Sequence, residues 1–144
     1  IVIGTDDGLI QITENSGKTW RKVDNIPDAP EQSYVNSVYL SQHDVNVISI
    51  AFNHHKYGDF KPYIFKSSDK GNSWVSISSN LPMRGSVYSI EEDHVDSNLI
   101  FCGTEFGVFF SPDSGGSWKE LATGLPTIAV RDIAIQRREN DFNE

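Results

Sequence analysis

The eight-residue string [ST]-x-[DN]-x-G-x-[ST]-W occurs three times, at Thr13–Trp20, Ser67–Trp74 and Ser111–Trp118. So constrained a string does not recur by chance, and the chain is therefore built of repeats. Each copy follows an apolar stretch (10–12, 63–65 and 108–110) and leads into alternating residues that close on Ile26-Pro27, Leu81-Pro82 or Leu125-Pro126. Trp20, Trp74 and Trp118 lie 54 and 44 residues apart, and the difference falls mainly in the stretch His54 to Pro62. A unit of about 40–50 residues made of short strands has the length of one propeller blade.

The string has a physical reading. The short acceptor side chains Asn15, Asp69 and Asp113 can take hydrogen bonds from backbone N–H groups of a turn, and Gly17, Gly71 and Gly115 permit a left-handed backbone. Thr13, Ser67 and Ser111 can tie the start of the turn to its far side. Thr19, Ser73 and Ser117 complete the polar set. Trp20, Trp74 and Trp118 are expected to bury their rings beside the hairpin with the indole N–H bonded. Turn chemistry that returns in every repeat belongs to the scaffold and not to catalysis.

The motif resembles the Asp-box, or bacterial neuraminidase repeat, of sialidases, xyloglucanase-type glycosidases, sortilin-type receptors and propeller-form photosystem assembly factors. The second and third copies match its pattern at every defined position, and the first departs with Thr13 for Ser and Asn15 for Asp. Together with Asn98–Phe110, the third repeat is most similar to sortilin-type and xyloglucanase-type modules. The resemblance implies an all-β fold of four-stranded antiparallel propeller blades.

In blade order, A innermost to D outermost, the third repeat reads as Ser86–Glu92, Asn98–Gly103, Gly107–Ser111 and Trp118–Ala122, and the second as Asn36–Leu40, Val45–Phe52, Pro62–Ser67 and Trp74–Ser78. Ile1–Thr5 aligns with Ile100–Thr104, so the first repeat begins at strand B. Residues 1–144 thus form one propeller segment: strands B to D of a first blade (1–27), a second blade (35–82), a third (85–126), strand A of a next blade (129–136) and a polar tail (137–144). Three blades cannot easily close a ring, since propellers have four to eight. We expect a fragment of a longer propeller. The alternative is a dimer of six blades, in which the 129–136 strand of one copy completes the first blade of the other and buries Val130, Ile133 and Ile135.

The chain carries 20 acidic and 12 basic residues for a net charge of −8, which argues against a nucleic-acid partner. No run is apolar enough to span a membrane. Cys102, the single cysteine, reads as a buried small hydrophobe. No metal site and no cofactor is expected. The resemblance implies an extracellular or periplasmic location.

The resemblance also implies that function lies on the face carrying the D-to-A and B-to-C loops. Candidate binding residues there are Asp6, Asp7, His54, His55, Tyr57, Asp59, Arg84, Glu105 and Phe106. The 54–61 insertion carries two imidazoles, a phenol and a carboxylate, a set suited to a metal or a sugar ring; the plainer alternative is a solvated loop ended by Pro62. Adjacent histidines in an extended segment point opposite ways, which disfavours a shared metal. Asp6 and Glu105 head equivalent Gly-Thr-[DE]-x-Gly turns, a recurrence that favours a turn role over the paired carboxylates of a glycosidase. Glu91, Glu92, Asp93 and Asp96 read as a solvated acidic turn, with calcium binding as the lesser alternative. A sialidase needs an arginine triad and a tyrosine nucleophile, whereas only Arg84 and Arg131 lie near this face, and xyloglucanase signature segments are absent. No residue is assigned as catalytic. The expected function is a non-catalytic carbohydrate- or protein-binding or scaffold module, and the alternative is a piece of a propeller glycoside hydrolase whose catalytic carboxylates lie partly outside the chain.

Overall fold

The computed structural model describes residues 1–23, 25–122 and 124–137. They form three antiparallel sheets in chain order. The first holds β1 (Val2–Gly4), β2 (Ile10–Ile12) and β3 (Arg21–Val23). The second holds β4 (Tyr34–Leu40), β5 (Ile48–His54), β6 (Asp59–Ser67) and β7 (Val75–Ser76). The third holds β8 (Val87–Glu92), β9 (Ile100–Thr104), β10 (Gly107–Ser111) and β11 (Lys119–Glu120). Each sheet is an up-and-down meander, which is the blade of a propeller.

The core lies between sheets. Ile10, Ile12, Ile48, Ile50, Phe52, Phe65 and Trp74 pack the first sheet against the second. Ala51, Ile64, Ile77, Leu81, Val87, Ile90, Cys102 and Trp118 pack the second against the third. Because β5 is covered on both faces, residues 48–52 are buried without interruption, Ile48, Ile50 and Phe52 joining one core and Ala51 the other. Burial drives the Cys102 thiol far above its ordinary value, so it stays protonated.

All three motif strings form hairpin turns held by their own side chains. The Asp69 carboxylate accepts from Ser67 Oγ (2.8 Å), Ser73 N–H (2.8 Å), Asn72 N–H (3.0 Å) and Ser73 Oγ (2.7 Å). Asp113 accepts from Ser111 Oγ (2.7 Å), Ser117 N–H (2.8 Å) and Ser117 Oγ (2.8 Å). Asn15 Oδ1 takes Thr13 Oγ1 (3.1 Å) and Thr19 N–H (2.9 Å), but its Nδ2 donates to Thr19 Oγ1 (2.8 Å), so here the second hydroxyl accepts. Gly17, Gly71 and Gly115 sit at φ of +88°, +80° and +95°. Their N–H groups donate to the first hydroxyl of each motif at 2.7–2.9 Å.

These bonds hold both aspartates well below their ordinary value of 3.8, to about 2: backbone and side-chain bonds from Ser73 at Asp69, and the Ser111 and Ser117 hydroxyls at Asp113. A depressed carboxylate stabilises the fold above its unfolded pKa and loses that contribution as pH falls through its folded pKa. Stability should therefore decline between about pH 4 and pH 2. Acid titration monitored by circular dichroism should show a smaller decline in this window for the Asp69→Asn, Asp113→Asn double variant, which copies the non-titrating Asn15 turn. An unchanged acid profile would remove these two groups from the cause.

The tryptophans differ. Trp118 (3% exposed) donates its indole N–H to Ile77 O at 2.7 Å, across the boundary between blades. Trp74 (5%) is buried on the first sheet, but its Nε1 has no partner among the described residues. Trp20 is 40% exposed, against the expectation of burial. One edge of its ring lies over Gly17 of its own hairpin. Trp74 and Trp118 are buried because each also packs against the preceding sheet, and no sheet precedes the first among the described residues.

Polar grips reinforce the same boundaries. Arg21 donates to Gly71 O (3.2 Å) and Lys70 O (2.6 Å), while Asn80 exchanges bonds with Trp118 (3.0 and 2.7 Å). Glu92 is not solvated as expected. It is buried and held by Ser41 Oγ (2.8 Å) and Gln42 N–H (3.1 Å) of the preceding blade.

Two further expectations are corrected. The 54–61 insertion is not a loop: β5 runs through His54, a single 3-10 turn spans His55–Tyr57, and β6 starts at Asp59. The ladder shifts register between Phe52 and His54, so Pro62 sits inside β6 where no N–H is required of it. Residues 129–136 form no strand among the described residues, because a strand A takes its ladder from a strand B of its own blade. Residues 138–144 of the polar tail lie outside the described residues.

Candidate functional site

A repeated irregularity of the innermost strands builds the site. On β4, Val35 pairs with Phe52 and Ser37 with Ala51, leaving Asn36 as an extra residue. On β8, Val87 pairs with Thr104 and Ser89 with Gly103, leaving Tyr88 extra in the same way. Such a bulge bends the strand and re-aims the side chain at its crest. Val130 donates its N–H to Thr104 O (2.8 Å) as Val35 does to Thr5 O (3.1 Å), so Arg131 follows in the place that Asn36 and Tyr88 hold.

These three residues border one open cleft of about 550 Å³, with Asp6, Gln32, Tyr34, Asn53, His54, His55 and Lys56 completing its wall. Asn53 Nδ2 donates to Asn36 Oδ1 (2.6 Å) and Asn36 Nδ2 to Val87 O (2.6 Å), an amide chain that joins the second blade to the third. The two imidazoles face apart. His54 Nδ1 meets Ser33 Oγ at 3.1 Å and its ring stacks on Tyr57 at 4.4 Å, with the Tyr57 hydroxyl donating to Gln32 Oε1. His55 Nε2 meets Ser86 Oγ at 2.6 Å, between Phe60 (4.9 Å) and the edge of Tyr88 (6.4 Å). Each histidine thus uses one ring nitrogen on the scaffold and keeps the other.

The Arg131 guanidinium lies over the Tyr88 ring, 4.8 Å from its centroid, and makes no hydrogen bond among the described residues. Stacking on an aromatic face orients the fork without consuming its donors. With Lys56, it gives the cleft two cations against one carboxylate, Asp6, in a chain of net charge −8.

Of the candidates read from the sequence, Asp6, His54 and His55 line this cleft. Tyr57 supports it from behind His54. The others lie elsewhere. Asp7 closes its own turn, where the Thr5 hydroxyl and then Leu9 N–H hold the carboxyl below its usual range. Asp59 accepts from Tyr63 Oη (2.6 Å) and Lys61 N–H (3.1 Å); burial raises it, but these bonds prevail and keep it depressed. Burial, together with Asp59, pushes the Tyr63 phenol up to about 12. Arg84 covers Phe60 at 5.8 Å. Glu105 donates its backbone N–H to Ser86 O (3.1 Å), and Phe106 is exposed. Asp6 lines the cleft and Glu105 does not.

Gln32, Tyr34, Asn36, Asn53, Lys56 and Tyr88 were not anticipated, and Arg131 was noted only as an arginine near this face. The signal was present in the aligned strands Val35-Asn36-Ser37-Val38, Val87-Tyr88-Ser89-Ile90 and Val130-Arg131-Asp132-Ile133. One position changes from Asn to Tyr to Arg amid a repeated frame, which frees it for a role the scaffold does not dictate.

No family model matches the chain, and no curated protein sequence does. Solved structures match. YCF48 bound to D1 peptide aligns at 20% identity and a TM-score of 0.67, over 88% of this chain and 38% of that one. The GH74 xyloglucanase of Xanthomonas campestris aligns at 17% and 0.63, over 88% and 22%. The GH74 enzyme of Niastella koreensis aligns at 22% and 0.65, over 88% and 20%. This chain spans well under half of each. The likeness establishes the fold: the chain is a segment of a β-propeller.

Proposed function

We propose that the chain is a non-catalytic binding segment of an Asp-box-type propeller, and that its cleft takes an extended peptide bearing a carboxylate. One observation carries the reading: a guanidinium that is oriented on Tyr88 and makes no hydrogen bond among the described residues, in a cleft that Lys56 also lines and to which the described residues bring one acidic side chain. Charge-assisted bonds from Arg to a carboxylate are the strong and oriented ones. That the similar YCF48 structure holds a peptide supports a peptide over a glycan. The glycoside hydrolase reading rests on the two GH74 enzymes and requires a second carboxylate that the cleft's lining does not supply. An extracellular or periplasmic location remains part of the proposal, as does completion of the ring by further blades of a longer chain or by a second copy.

Calorimetric titration tests it. Short peptides with a free C-terminal carboxylate should bind, the same peptides amidated should bind at least about tenfold more weakly, and Arg131→Ala should abolish the difference, since a bond to a charged group is worth about 1.5–3 kcal/mol. Equal affinity for both peptides, or cleavage of xyloglucan oligosaccharides by the purified chain, would overturn the reading.

A further inference from the structure

His55 connects the cleft to a second guanidinium. Its ring, which lines the cleft, lies 4.9 Å from that of Phe60, and Arg84 covers Phe60 at 5.8 Å. These contacts keep the Arg84 fork within about 11 Å of the His55 ring, a step that about three extended residues span. The same imidazole meets the edge of Tyr88 at 6.4 Å, and Tyr88 carries Arg131 at 4.8 Å. Two arginines thus end one chain of ring contacts, no more than about 22 Å apart, which about seven extended residues cross.

The local fold sets Arg84 in place. It lies in the connection between the second and third sheets, and both of these sheets are described. Gly85 donates its N–H to Phe60 O at 2.9 Å, which ties this connection to the start of β6. Gly85 takes a φ of +135°, where a side chain is strained, and a Cβ there would stand 3.3 Å from the Phe106 ring. The backbone beside Arg84 is therefore clamped between Phe60 and Phe106. Arg84, Met83 and Phe106 are all exposed. Stacking on Phe60 leaves the donors of the fork unspent, and Arg84 makes no hydrogen bond or ion pair among the described residues. Asp59, next to Phe60 in sequence, is already engaged by Tyr63 Oη and Lys61 N–H.

We propose that Arg84 is the outer anchor of the peptide site and reads a second acid of the ligand: an aspartate or glutamate side chain, no more than about seven residues before the terminal carboxylate, pairs with the Arg84 fork while the backbone between them passes His55 and Phe60. The inference rests on the carboxylate-peptide reading of the cleft and adds a sequence requirement to it. Continuity with the cleft through His55 makes the same peptide the occupant, and charge selects the residue it brings. A neutral glycan would give neither fork an anion. In a chain of net charge −8, two ring-oriented guanidinium groups on one track favour an acidic peptide over a basic one, so a lysine at the Arg84 position of the ligand is rejected where a glutamate is taken.

Fluorescence anisotropy on the 144-residue chain tests this with labelled alanine–serine peptides of about eight residues, each with a free C-terminal carboxylate and a single glutamate, or a glutamine in its place, moved along the peptide. At one position or two adjacent ones glutamate should bind at least about threefold more tightly than glutamine, and lysine more weakly than either. Arg84→Gln, at an exposed site, should abolish that preference, Arg84→Lys should keep part of it, and Arg131→Ala should leave it in place. Equal affinity for glutamate and glutamine at every position, or a preference that survives Arg84→Gln, would overturn the proposal. Free and amidated C-termini compared on the same samples separate the two readings. A terminal-carboxylate preference without a glutamate preference refutes only the outer anchor. A glutamate preference lost in Arg84→Gln, without a terminal preference, refutes only the terminal carboxylate, and the absence of binding by every peptide refutes both.

Discussion

Trp118→Ala should destabilise the chain by about 3–5 kcal/mol, the cost of deleting a fully buried aromatic side chain, while Trp20→Ala in the dilute chain should cost less than about 1 kcal/mol. The two residues hold the same place in identical motifs and differ in what lies beneath them. Trp118 fills the groove over Ile77 and Leu81, donates its indole N–H to Ile77 O at 2.7 Å, and has its backbone N–H bound by Asn80 at 2.7 Å. Trp118→Phe keeps most of the ring but strands the Ile77 carbonyl, and should fall between them at about 1–3 kcal/mol. Urea unfolding of the three variants gives the order. Equal costs for Trp118→Ala and Trp20→Ala would mean that the motif tryptophan stabilises its own hairpin and not the boundary between blades.

That contrast shows where sequence reading stops. The turns were legible because their chemistry is local: hydroxyl, acceptor and glycine within a few residues of one another dictate the hairpin wherever it stands. The strand pattern followed from the repeat. Burial of Trp20 was not legible, since it depends on a neighbour and not on the motif. For the same reason Glu92 looked like part of a solvated acidic run, although the loop that covers it lies about fifty residues earlier. The 54–61 insertion carried loop-like residues, but the His54–Asp59 pairing extended a hairpin through them. Of the carboxylates and histidines read as candidates, Asp6, His54 and His55 line the cleft. Tyr88 reaches the cleft through a bulge of β8, as Asn36 does through one of β4, and a bulge has no composition of its own; Arg131 follows at the equivalent position of the third repeat of that frame.

The closeness of the blades makes a second large effect testable at the glycines of β1 and β9. A Cβ on Gly4 would lie 2.3 Å from Val35 Cγ1 and 2.7 Å from Val35 Cβ, inside the core of the first junction. Gly4→Ala should therefore cost about 1–3 kcal/mol by overpacking. The obstacle is a side chain, so it can be trimmed in part: in the Gly4→Ala, Val35→Ala double variant Cγ1 and Cγ2 are gone and only the Val35 Cβ contact at 2.7 Å remains to be relieved. Its cost should be at least about 1 kcal/mol below the sum of the singles. At Gly103 the equivalent Cβ meets the Val130 backbone carbonyl at 2.4 Å, which no trimming removes. Gly103→Ala should instead push the segment around Val130 off the third blade and break the Val130 N–H to Thr104 O bond, while the sheet of β8 to β11 persists. Hydrogen exchange reads this directly: protection at Val130 should be lost in Gly103→Ala and retained in Gly4→Ala. Additive costs in the Val35 cycle, or a protected Val130 amide in Gly103→Ala, would show that the blades are spaced more widely than these contacts require.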